Sequence, residues 1–200
     1  MSAENRSRRI GVILAAGRGR RMGGTKQLKL WLAADGPKPL VCAAYDAIRP
    51  ICDEIVVVLG HEKEKVTHAL LGRSFHHAES SPELTMFDSI CVGLRKAAMI
   101  DPIATIVLQP GDHPEVSAAT LKTLIQSATV RSDQAIIAEH NGRGGHPVLI
   151  PARVAEAILA SPCPEGLGQF WLDHPQLCHR IAVDDASMLH DIDTPGDLLN

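Results

Sequence analysis

The sequence predicts a layered α/β fold around a mainly parallel sheet. Short runs of Val, Ile and Leu alternate with stretches of helical periodicity, the pattern of buried parallel strands joined by crossover helices. Composition agrees: 45% of the 200 residues are hydrophobic and 22% are charged, which suits a packed core rather than a disordered chain. Aromatic residues are only 3%, so that core must be built from aliphatic side chains.

In chain order, strands are predicted at Arg9–Leu14 (RIGVIL), Glu54–Gly60 (EIVVVLG), Ala104–Asp112 (ATIVLQPGD) and Gln134–His140 (QAIIAEH). Helical patterns lie between and after them, at Pro39–Ile48, His61–Leu71, Met86–Met99, Ser117–Ala128 and Pro151–Ala160. The last of these opens on proline, which suits a first helical position. Gly145–Ile150 reads as a turn feeding a short strand, and His179–Asp185 as another strand. Thr194 or Asp193 is placed to cap a short terminal helix. Nothing marks a linker or a repeat, so one domain is expected over residues 1–200.

Charge and cysteine usage narrow the function. A net charge of −3 argues against a nucleic-acid binder, which would be basic overall. The five cysteines form no C-x-x-C pair, so neither a disulfide framework nor a zinc finger is legible. No run approaches the ~20 apolar residues of a membrane helix. A cytoplasmic protein with no membrane partner is the expectation.

The most informative stretch follows the first strand. Gly17–Lys26 crowds glycines together with Arg18, Arg20, Arg21 and Lys26. Glycines let backbone N–H groups close on a phosphate, and arginine suits bidentate phosphate contact. The loop leaves the carboxyl end of a strand, where parallel α/β sheets bind ligands. Two familiar motifs fail on spacing. Gly17-x-Gly19 continues to Met22 where a dinucleotide fingerprint needs glycine, and Thr25 precedes Lys26 where a P-loop needs the reverse order.

The stretch LAAGRGRRMGGTKQL (Leu14–Leu28) instead resembles the L-A-A-G-x-G/S-x-R-M-G-x-x-K-x-L signature of nucleotidyltransferases. It is closest to the MobA-like group that includes the molybdenum-cofactor cytidylyltransferases, and its second alanine is similar to the cytidylyl branch. This resemblance implies a three-layer α/β/α fold of the nucleotide-diphospho-sugar transferase kind, Rossmann-like and GT-A type, with a mixed, mainly parallel sheet. It assigns Leu14, Ala15, Ala16, Gly17, Arg18 and Gly19 to the nucleotide cradle, and Arg21 and Lys26 to the triphosphate. The nucleotide-binding half would run over about 9–116 and the acceptor-binding half over 117–200.

A triphosphate site needs a counter-cation held by carboxylates. LQPGDHPEV (Leu108–Val116) meets the family's G-D-x-P-x-V pattern at Gly111, Asp112, Pro114 and Val116, so the resemblance makes Asp112 a Mg²⁺ ligand. Asp191 and Asp193 alternate along an extended segment, so only one can face the metal. The resemblance favours Asp193. LTMFDSICVGL (Leu84–Leu94) is similar to the family's segment near the nucleobase and ribose, with Ser89 and Gly93 matching and Thr85 in place of glycine. Helical spacing there also predicts a buried stripe of Met86, Ile90 and Leu94.

GGHPVLI (Gly144–Ile150) resembles the acceptor-facing segment, making His146 an exposed imidazole that donates to an acceptor phosphate. EGLGQFWLDHP (Glu165–Pro175) departs from the family's G-D-x-G-[AL]-R pattern and lacks its arginine. Phe170 and Trp171 are expected to pack there instead. The implied reaction is Mg²⁺-dependent transfer of a nucleoside monophosphate, CTP being the favoured donor, to a phosphorylated acceptor. Molybdopterin is the leading acceptor and a sugar or polyol phosphate the alternative; a molybdoenzyme or its chaperone would be the protein partner. A non-catalytic cofactor carrier would need no acidic pair, which favours an enzyme.

Overall fold

Strand β1 (Arg9–Ala15) carries apolar side chains on both faces, and the chain covers both. The computed structural model describes residues 7–19, 24–81, 83–190 and 192. After β1 come a hairpin of β2 (Leu30–Ala33) and β3 (Gly36–Pro39), then α1 (Leu40–Ile48), β4 (Glu54–Leu59), α2 (Lys63–Ala69) and β5 (His76–Glu79). They are followed by α3 (Met86–Ile100), β6 (Thr105–Pro110), α4 (Ala118–Val130), β7 (Ala135–His140) and β8 (Arg143–Ile150). Helices α5 (Ala152–Ala160) and α6 (Leu167–Asp173) and strand β9 (Cys178–Ala182) complete the described elements.

Among the described residues the main sheet has seven strands in the order β5-β4-β1-β6-β8-β7-β9. Only β8 runs against its neighbours; every other pairing is parallel. This is the mixed, mainly parallel sheet expected from the sequence. Ile10, Val12, Val58, Leu108 and Ile137 face α3, α5 and α6 on one side, while Ile13, Val57, Val107, Ile136 and Leu149 face α1, α2 and α4 on the other. Three layers result, with the aliphatic core the composition implied.

Gly93 sets how closely α3 approaches the sheet. A Cβ there would collide with the Val12 side chain and stand 3.0 Å from Val58 Cγ2. Thr85 has a local reason too. It caps α3 in a reciprocal box with Asp88, whose backbone N–H it receives at 3.1 Å while the Asp88 carboxylate receives the Thr85 N–H at 3.0 Å.

The expected buried stripe on α3 holds at two of its three positions. Ile90 and Leu94 are buried, but Met86 is 68% exposed and Phe87 takes the inward position. Met86 stands in the first helical turn, where the helix overhangs a cleft rather than the sheet. The expected terminal helix at residues 191–200 lies outside the described residues. Among the described residues, no helix is long and apolar enough to cross a membrane.

Candidate functional site

Strand order changes direction at β1: the chain next adds β4 on one side and only later β6 on the other. Such a switch point opens a crevice at the carboxyl ends of the two strands. The loop after β1 and the turn after β6 meet there. Gly111 bridges them, its N–H donating to the Leu14 carbonyl at 2.9 Å. A Cβ at Gly111 would come within 2.8 Å of that same oxygen, so the approach requires glycine.

Each side of the crevice is braced. On the β1 side, Gly19 takes a left-handed conformation (φ 57°) and packs its backbone against Gly24 and Lys26. A short 3-10 turn at Lys26–Leu28 follows, and the buried Thr25 hydroxyl donates to Glu62 at the start of α2. On the β6 side, buried Gln109 donates from Nε2 to the His113 carbonyl at 2.7 Å, which fixes the turn presenting Asp112. Lys26 Nζ then stands 2.8 Å from Asp112 Oδ2, the lysine side chain 8% exposed and the carboxylate 22%. Two residues far apart in the sequence are thereby brought into contact.

Two clefts open beside this pair. The smaller, about 150 Å³, is lined by Leu14, Ala16, Gly17, Ser89 and Asp112 among the residues expected at the nucleotide. Ser89 is buried and shares a 2.9 Å hydrogen bond with Ser80. Ala15 points away, into the core against α1 and α2. Arg18 forms an ion pair with Glu83. Arg21, Asp191 and Asp193 lie outside the described residues, but the intervening Ile192 donates its backbone N–H to the Asp112 carbonyl at 3.4 Å. A cavity of about 730 Å³ lies at the other end of the central strands, where β1 and β6 begin, among Arg9, Thr105 and Leu149, away from all of these residues.

The second cleft, about 490 Å³, shares Leu14, Met86 and Pro110 with the first and adds His146, Glu165 and Trp171. His146 enters it through an irregularity in the β7–β8 ladder. Pairing passes from Ile137–Val148 to Glu139–Gly144, so β8 carries extra residues that re-aim its side chains. The imidazole is not the exposed group the sequence led us to expect. It is half-buried and meets the His113 ring edge-on at 5.1 Å. Burial, with His113 adding to it, pushes its pKa down to about 3 against a hydrogen bond with the Leu108 backbone. His146 is therefore a neutral donor or acceptor, and its buried Nδ1 has no partner among the described residues. Phe170 and Trp171 pack as expected, both buried and edge-to-face at 5.1 Å.

Sequence reasoning passed over Gln27, His113 and Arg180. Gln27 is buried, lines the smaller cleft and has no partner for its Oε1 among the described residues. A polar residue next to Lys26 in TKQL was the available signal. His113 and Arg180 gave none, because one pairs with a residue far along the chain and the other lies on an edge strand.

The donor set can be tested against the expected cation. Among the described residues no cluster of three or more His, Cys, Asp or Glu could hold a metal alone. Mg²⁺ does not need one: it is commonly held by one or two carboxylates, water and substrate phosphate oxygens. Asp112, partly exposed at the mouth of the smaller cleft, fits that role.

Known proteins share this sequence pattern and this fold. Residues 11–177 match the MobA-like NTP transferase domain. The molybdenum cofactor cytidylyltransferase of Escherichia coli K12 is 25% identical over 190 residues, covering 94% of this chain and 92% of that protein. The crystal structure of Rv0371c from Mycobacterium tuberculosis H37Rv superposes with a TM-score of 0.79 at 26% identity, over 96% of both chains. The same protein in complex with manganese gives 0.74 at 25% identity, again over 96% of both chains. With the domain spanning most of its length and the fold recurring in these relatives, this chain belongs to the MobA-like NTP transferase family and is a nucleotidyltransferase.

Proposed function

We propose that the enzyme transfers CMP from CTP to the terminal phosphate of molybdopterin, with Mg²⁺ as cofactor and pyrophosphate as the second product. The contact between Lys26 and Asp112 at the mouth of the smaller cleft carries the transfer chemistry of this reading, because it sets a cation suited to phosphate beside a carboxylate suited to a metal. The likeness to a molybdenum cofactor cytidylyltransferase supports CTP and molybdopterin. The smaller cleft would take the nucleoside and the larger one the acceptor. The five free thiols fit a reducing, cytoplasmic compartment.

An oxygen of the acceptor phosphate attacks the α-phosphorus in line. A new P–O bond forms as the α–β bridging bond breaks, and pyrophosphate leaves with the electron pair. The attacking phosphate is already an anion, so no general base is needed. Lys26 balances charge on the triphosphate, with Arg21 as its second cation by resemblance. Asp112 and Asp193 would hold Mg²⁺, which supplies charge neutralisation across the phosphates. His146, uncharged, would offer the acceptor a hydrogen bond without drawing the triphosphate into the wrong cleft. Positioning and charge supply the catalysis.

One observation supports a second reading within the same chemistry. Helix α6 fills the Glu165–Pro175 region with Phe170 and Trp171, where the family pattern carries an arginine, and this favours a different phosphorylated acceptor, a sugar or polyol phosphate. Mass spectrometry of reactions containing CTP, Mg²⁺ and either molybdopterin or a sugar phosphate separates the two. A CMP adduct of molybdopterin is expected; an adduct of the sugar phosphate alone would replace the first reading by the second.

A further inference from the structure

Among the described residues that line the larger cleft, Arg180 of β9 is the single cation. Its position is built rather than incidental. Arg180 pairs in register with Ile137 on β7, on the face that carries the cleft. Its guanidinium lies against Gly144, where a Cβ would stand 2.8 Å from Nη1 and 3.6 Å from Cζ. Gly144 has no left-handed backbone to explain it, so what the glycine provides there is room for the arginine and for Ile137, whose Cγ2 would stand 3.1 Å from a Cβ. Nη1 reaches Glu139 Oε2 at 3.3 Å, the one protein partner of Arg180 among the described residues. Nε and Nη2 make no hydrogen bond or ion pair with protein among the described residues, and the side chain is 41% exposed, so those donors are open to a ligand.

We infer that Arg180 binds the acceptor's phosphate and sets specificity for a phosphorylated acceptor. This rests on the nucleotidyl-transfer reading above. A phosphate entering this cleft meets a neutral His146 and an acidic Glu165, neither of which offsets its charge. Arg180 does, and a planar guanidinium suits bidentate phosphate contact. It also answers the missing arginine of Glu165–Pro175: that segment lines the same cleft, and β9 supplies the cation from another wall. Glu139 holds the side chain by one long contact that phosphate can displace.

The test is calorimetric titration of molybdopterin into enzyme saturated with Mg²⁺ and a non-hydrolysable CTP analogue. Inorganic phosphate is titrated in parallel as the bare anion. Arg180→Gln should bind both about 10- to 100-fold more weakly, the range expected for losing hydrogen bonds to a charged group. Arg180→Lys should recover part of the loss. Gly144→Ala should also weaken both by displacing the guanidinium, and affinity for the CTP analogue should stay the same in all three. Unchanged binding in Arg180→Gln overturns the inference. If the wild type ignores molybdopterin yet binds phosphate in an Arg180-dependent way, the choice of acceptor fails and Arg180's role stands.

Discussion

Lys26 Nζ and Asp112 Oδ2, 2.8 Å apart, join the end of the β1 loop to the end of β6. Each is the group the other would exchange for substrate: the ammonium for phosphate oxygens, the carboxylate for the cation. Asp112 keeps some access to water, so losing its partner is tolerable in the fold. Lys26→Ala should lower kcat by about 10²- to 10³-fold, as removal of one preorganised charge donor does. Thermal denaturation should report a loss of only about 1–2 kcal/mol, below the cost of stranding a fully buried charge. Turnover near wild type would remove Lys26 from the site.

Asp112→Asn keeps the shape and removes the charge. Calorimetry in EDTA should find CTP bound at least as tightly as by the wild type, since a carboxylate no longer faces the triphosphate. With Mg²⁺ added, the wild type should gain affinity and the variant should not. A metal-dependent gain that survives the substitution would place the cation elsewhere.

Gly93→Ala tests the packing that aligns α3 with the sheet. The new methyl meets Val12 and Val58 with no flexible neighbour to yield. Overpacking of this kind costs about 1–3 kcal/mol, measurable as a lower urea midpoint. An unchanged midpoint would mean that α3 can slide outward freely.

For His146 the pH dependence has a definite sign. Its ordinary pKa of 6.5 falls to about 3 in the fold. The unfolded chain therefore binds the extra proton first. The contribution of the neutral ring is complete above pH ~6.5 and is lost as pH falls from there toward ~3. Between pH 7 and pH 5 the wild type should lose up to about 2 kcal/mol more stability than His146→Gln. Denaturant titrations of both proteins at the two pH values would show this, and parallel losses would contradict it.

Much of this was legible in the letters, for physical reasons. β1, β4, β6 and β7 are apolar on both faces, and only strands buried inside a layered sheet need that. The loop at Gly17–Lys26 and the turn at Gly111–Asp112 were visible as motifs because close backbone approach constrains residue type. The four-residue β5 was not visible, since His76–Glu79 is an edge strand with mostly exposed side chains. The β2–β3 hairpin was hidden by Pro37 and Pro39, which weaken any strand signal. Local pattern also could not foresee the irregularity in β8 that draws His146 inward, nor Asp185. That carboxylate receives the Ser117 N–H at 3.0 Å and the Thr120 hydroxyl at 2.6 Å, anchoring the start of α4. Burial opposes its charge, but the Ser187, Thr120 and Ser117 hydrogen bonds prevail and hold its pKa far below the usual range.

The central claim is that the Lys26–Asp112 crevice runs Mg²⁺-dependent transfer from CTP. Pyrophosphate release tests it most directly, measured with CTP, ATP, GTP and UTP in turn, with molybdopterin and Mg²⁺ present. Release should be fastest with CTP, should require molybdopterin and should vanish in Asp112→Asn. Equal release from all four nucleotides, or release undiminished in the Asn variant, would contradict the account.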